Sequence, residues 1–135
     1  MSTPFTVIQK MLDDHLNTLD GLPTVQLENK RLKTVTNQPF VRATLMPTQT
    51  EIAALGVFGY DRAGGMYQVD CYYPIDDGAT PCSTMADNII AHFNKGLVLT
   101  SGEYMLQVDI TFRETARALQ NFYNIPVIVT WHSYK

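Results

Sequence analysis

A chain of 135 residues with 10 basic and 13 acidic side chains, net charge −3 and pI about 5.5, has the length of one domain able to bury its own core. It shows no basic run or stripe, which argues against holding a polynucleotide by its phosphates. No stretch approaches the roughly 20 apolar residues of a membrane span.

The chain reads in order as follows. Thr3 is placed to cap a first helix, with Pro4 at its first position, where a missing N–H costs nothing. Phe5, Ile8, Leu12, Leu16 and Leu19 recur at helical spacing, Asp13 and Asp14 fall outside that stripe, and Gly21-Leu22-Pro23 ends the helix. Thr24 to Glu28 alternates as a strand, and Asn29 to Gln38 reads as a polar, basic loop. A second strand runs between Pro39 and Pro47, with Val41, Ala43 and Leu45 on one face and Arg42 and Thr44 on the other.

Glu51 to Tyr60 reads as a strand with a weak finish, because Gly56 and Gly59 would damage a helix. Asp61 to Gly65 reads as a turn, and Met66 to Tyr73 as a strand with Tyr67, Val69, Cys71 and Tyr73 on one side. After the Asp76-Asp77-Gly78-Ala79 loop, Thr80-Pro81 repeats the signal for a helix start. Met85, Ile89 and Phe93 form the apolar stripe, and Lys95-Gly96 closes the helix. Leu97 to Leu99, Tyr104 to Ile110 and Pro126 to Tyr134 look like strands, and Ala116 to Tyr123 like a connection with at most a short turn of helix. The expected class is α+β: one domain over residues 1–135, with about six strands in a mostly antiparallel sheet and two helices on one face.

Groups able to do chemistry are sparse. His15, His92 and His132 lack metal-ligand spacing and read as surface or boundary residues. Asp76-Asp77-Gly78 reads as a turn rather than a cation loop, and Gly64-Gly65 lacks the context of a phosphate loop. Cys71 and Cys82 have no CxxC spacing, and a reduced pair made in the cytoplasm is expected, since MSTPF opens no signal segment. Cys82 near a helix N-terminus is the one candidate nucleophile, with nothing to fix a partner histidine. Tyr67, Tyr72 and Tyr73 have Asp70, Asp76 and Asp77 for neighbours, the wrong sign for a polynucleotide, and suit core packing and protein contact.

The order of these motifs carries a resemblance. It runs from the helix ending in Leu22-Pro23 through Val25 to Asn29, Pro39-Phe40-Val41-Arg42 and Leu45-Met46-Pro47. It continues through Arg62 to Val69, Tyr73-Pro74, the Asp-Gly turn, the helix with Ala86 to Ile90 and Phe93, and Ile125 to Trp131. In this order and spacing the chain resembles the tail-terminator-like proteins of long-tailed bacteriophages, over its whole length. The basic 29–38 segment and the 116–124 segment depart from the pattern.

The resemblance implies a non-enzymatic structural protein of the virion tail, without metal or cofactor. It implies a hexameric ring that caps the tail tube, ends its growth and offers a surface to head-completion or neck proteins. The partners implied are further copies of the chain, the tube protein and the neck protein, with DNA only passing through the lumen and no membrane. Ring contacts are expected at Arg62, Gly64, Gly65, Tyr67, Trp131 and Tyr134, and tube or head docking at Lys30, Arg31 and Lys33. Another connector or tail-tube subunit is the nearest alternative. A small enzyme or ligand-binding module is the more distant one.

Overall fold

The apolar stripe at the N-terminus closes as helix α1 over Pro4–Asn17, with Ile8, Leu12 and Leu16 fully buried. The computed structural model describes residues 4–26, 38–47, 51–52, 61–102, 104–119 and 122–134, so Thr3 and most of the basic 29–38 segment lie outside the described residues. Helix α2 spans Thr80–His92 and buries Cys82, Met85, Ala86 and Ile89, with Phe93 buried immediately after it. Its N-cap is Ala79 rather than the expected Thr80, and Ala79 makes no side-chain capping bond. Pro81 still sits in the first turn, and the Ala79 carbonyl accepts the Ser83 N–H at 3.0 Å.

The strands are β1 (Thr24–Gln26), β2 (Phe40–Pro47), β3 (Glu51–Ile52), β4 (Asp61–Pro74), β5 (Val98–Ser101), β6 (Tyr104–Arg113), β7 (Arg117–Leu119) and β8 (Phe122–Tyr134). They form one sheet in the order β1-β2-β4-β8-β6-β5, with β3 on β4 and β7 on β8. All pairings are antiparallel except β1 with β2. The class is therefore α+β, as the sequence implies.

Two segments differ from the sequence reading. Asp61 to Gly65 is the start of β4, not a turn, and pairs with β8 from Arg62↔Tyr134 to Gly65↔Trp131. A strand tolerates this Gly-Gly pair where a large neighbour covers it, and Gly65 stands directly opposite the indole-bearing Trp131. Ala116 to Tyr123 holds no helix turn among its described residues. Arg117–Leu119 instead pairs back on Phe122 to Asn124. The Asp-Gly turn behaves as read: Ile75–Asp77 is a short 3₁₀ turn, and Gly78 follows at φ +79, a region costly for residues with a Cβ.

Both helices pack on one face. Ile8, Leu12 and Leu16 from α1 and Met85, Ile89 and Phe93 from α2 join Val41, Ala43, Tyr67, Val69, Cys71, Leu106, Val108, Ile125, Val127, Val129 and Trp131 in one core. Tyr67 is fully buried, and its hydroxyl donates to the Asp13 carboxylate on α1, so the ring carries a polar tip to a satisfied end.

Candidate functional site: an assembly surface

The segments expected to make ring contacts come together. Across β4 and β8, Arg62 lies opposite Tyr134, Gly64 opposite His132 and Gly65 opposite Trp131. Two of the expected contact side chains do not reach the surface, however. Tyr67 and Trp131 point to the helix-covered side and are buried in the core of the single chain. They act as packing residues, which corrects the expectation that these two aromatic side chains would be presented to a neighbour. Alternation explains it: odd residues of β8 from Tyr123 to Ser133 face the helices, and even ones face away. Lys30, Arg31 and Lys33 lie outside the described residues.

The face turned away from the helices carries a feature that the sequence reading missed. In β6, Leu106, Val108, Ile110 and Phe112 alternate strictly, so an unbroken strand would place all four on one side. A bulge lies between Val108, opposite Trp131, and Ile110, opposite Thr130, and Asp109 is the extra residue. Leu106 and Val108 therefore enter the core, while Ile110 and Phe112 emerge on the opposite face, 55% and 42% exposed.

The bulge is held by side chains. The Ile110 N–H donates to Thr130 Oγ1 at 3.0 Å, and the same hydroxyl donates to the Ile110 carbonyl at 2.8 Å. Asp109 Oδ1 lies 2.6 Å from His132 Nδ1. A backbone irregularity fixed this way is a built part of the fold.

Met105 and Val98 join Ile110 and Phe112 on this side, Met105 opposite Tyr134 and Val98 opposite Gln107. Ile128, opposite Phe112, is buried on the same face. No described helix lies over this face. At its other end Phe40 stacks on Tyr72 at 4.6 Å between ring centres, Phe122 meets both rings edge-on, and the Arg42 guanidinium sits 5.5 Å from the Tyr72 ring. Gln68 Nε2 donates to both Asp70 oxygens, at 2.9 and 3.1 Å. Apolar area bordered by polar groups in this way is the usual makeup of a protein contact.

The groups that could do chemistry are placed for structure. Burial pushes the Cys82 thiol up to about 11, although a backbone bond from Ile125 and the charge of Arg113 pull the other way. Cys71 is raised further, first by burial and then by Cys82 and Asp70. Both are free, buried thiols, and Cys82 Sγ donates to the Cys71 carbonyl at 3.5 Å. Position near a helix N-terminus therefore does not lower the Cys82 thiol, because loss of water outweighs the pull of Ile125 and Arg113.

Among the described residues there is no group of three or more His, Cys, Asp or Glu side chains that could share a metal ion. No described helix is long and apolar enough to cross a membrane. A cleft of about 380 Å³ beside the start of α2 is lined by Ser83, Arg113, Glu114 and Tyr123. Arg113 there already donates to Ser83 Oγ at 2.7 Å and pairs with Asp87 at 3.5 Å. His15 and His92, read as surface or boundary residues, are half-buried. They stack on each other where the two helices end.

Comparison with known proteins follows the same line. No curated protein matches the chain. One solved structure aligns with a TM-score of 0.72 over 93% of this chain and 89% of that one, at 22% identity. That likeness establishes a shared fold. The model of a family described as "Phage tail terminator protein" matches residues 7–131.

Proposed function

Because the chain belongs to the phage tail terminator protein family, a structural component of the phage tail, we propose that it forms a hexameric ring on the tail tube, ends tube growth and presents the surface to which the head joins. The observation that carries this reading is the family match over nearly the whole chain, on a fold whose buried groups are spent on packing. A closed ring needs two different surfaces, one meeting the other on the next copy. The sheet offers two different edges, β1 and β5, and an apolar face away from the helices. An unpaired edge strand is a ready surface for adding a neighbour's strand.

In this reading the ring contact uses the end of the β4–β8 ladder, with Arg62, Gly64, Gly65 and Tyr134, together with Ile110 and Phe112. Tyr67 and Trp131 support that end from within. Lys30, Arg31 and Lys33 dock the ring to the tube or the neck, in the virion, at the head-proximal end of the tail. DNA passes through the lumen without being gripped.

Mass by light scattering across a concentration series tests the ring. Growth to a hexamer and no further supports it. Open-ended growth into tubes would assign the chain to a tube subunit instead. Charge reversal at Arg31 and Lys33 is expected to leave the unfolding midpoint unchanged and to reduce joining of heads to tails. Normal phage yield from that variant would remove the docking role of this loop.

A further inference from the structure

The two helices end against each other, and the contact is built from two histidines. His15 lies in the last turn of α1, and His92 is the last residue of α2. Their rings stack 4.1 Å apart, 14° from parallel. His15 Nε2 donates to the His92 carbonyl at 2.8 Å, and His92 Nε2 donates to the His15 carbonyl at 2.6 Å. Thr18 Oγ1, 2.8 Å from His92 Nε2, donates to that same His15 carbonyl at 2.6 Å. Each helix thus has a terminal carbonyl satisfied by the other helix's side chain. The edge of Phe93 closes the stack, 4.9 Å from His15.

This geometry fixes the protonation chemistry. Both Nε2 atoms must carry hydrogen to donate, so Nδ1 is the atom on each ring that takes a further proton. One added charge suits the negative ends of two converging helices. Two charges on rings in face-to-face contact repel at short range. His15 is held below the ordinary histidine value of 6.5. Burial is the largest cause and the charge of His92 adds to it, while the hydrogen bond to the His92 backbone opposes them.

Lys10 and Asp14 on α1 line the cleft with His15, and β5 contributes Leu99, Thr100 and Ser101. Asp13 accepts the Tyr67 hydroxyl, and Thr111 Oγ1 donates to the Phe93 carbonyl at 2.5 Å. Asp20 and Lys95 lie on the segments that leave the two helices.

We propose that His15 and His92 form a proton-sensitive clasp between the ends of the two helices, closed while at most one ring is charged and opened when both are. For a histidine held below its ordinary value, the unfolded chain binds more protons than the native one. The stability contributed by His15 is complete above the ordinary value and is lost as pH falls toward the lower native one. Acid therefore frees the ends of α1 and α2 while the sheet stays folded.

The test is amide hydrogen exchange on the whole chain at neutral and mildly acidic pH, corrected for intrinsic rates, alongside an NMR titration of the imidazoles. Acid should speed exchange at the last turns of α1 and α2 and leave the centres of β4 and β8 protected. In His92→Gln, which keeps a donor without a charge, the acid-induced opening should vanish and the His15 midpoint should shift upward. Equal protection of the helix ends at both pH values, or independent titration of the two rings in the wild type, would overturn the proposal. If His92→Gln does not fold, the wild-type exchange and titration decide alone.

Discussion

The two faces of the sheet are made from the same kinds of residue and do different work. On the helix-covered face, Tyr67, Val69, Val127, Val129 and Trp131 are closed over by α1 and α2, and their burial supplies most of what holds the fold. On the other face, Val98, Met105, Ile110 and Phe112 remain open to water. The boundary is a single extra residue, Asp109, which divides an apolar run so that Leu106 and Val108 serve the core and Ile110 and Phe112 serve the surface. Apolar character in a strand does not say which role its side chains take. The register does.

Four changes would break or sharpen that contrast. The largest effect is expected from Trp131→Ala, which empties the most voluminous fully enclosed site. It should cost about 3–5 kcal/mol in denaturant unfolding, and a loss under about 1 kcal/mol would mean that the covered face is not the structural one. Thr130→Val comes next. It removes the hydroxyl that accepts the Ile110 N–H and donates to the Ile110 carbonyl, and losing these bonds at the bulge should cost about 0.5–1.5 kcal/mol. Unchanged stability in this variant would show that the hydroxyl does not hold the bulge.

Ile110→Ser with Phe112→Ser should change stability by only about 0.5 kcal/mol or less, because both side chains are already wet. The same pair should weaken ring formation at a given concentration, and a double variant that assembles like the wild type would take this face out of the contact. The smallest effect concerns the thiols. With Cys82 raised to about 11, iodoacetamide should leave both cysteines unmodified at neutral pH until denaturant is added. Rapid labelling of the native chain would show that the covered face opens.

Much of the fold was legible because most elements follow one period each. The stripe of Ile8, Leu12 and Leu16 and the alternation from Met66 to Tyr73 state which residues share a side, and the β-branched run Val127 to Thr130 marks a strand. The losses have local causes. Gly64-Gly65 looks like a turn unless Trp131 is known to stand across the ladder from Gly65. Strand β7 has three residues and no alternation to show. Thr80 offers a better capping side chain than Ala79, but helix α2 begins one residue early.

The site was harder to see than the fold. Tyr67 and Trp131 carry interface-like chemistry, yet the pairing register turns both inward. The open face was hidden because a bulge leaves no mark on an alternating sequence. In the fold His132 holds Asp109 and Thr130 holds Ile110 at the bulge, contacts that spacing along the chain does not show. The stacking of His15 on His92, 77 residues apart, could not be read from spacing at all.

The most direct test is tube elongation in the presence of the purified protein, followed by electron microscopy with the protein labelled. A terminator should sit at one end of each tube and hold tube length fixed when more tube subunit is added. Label along the whole tube, or tubes that lengthen as if the protein were absent, would contradict the proposed function.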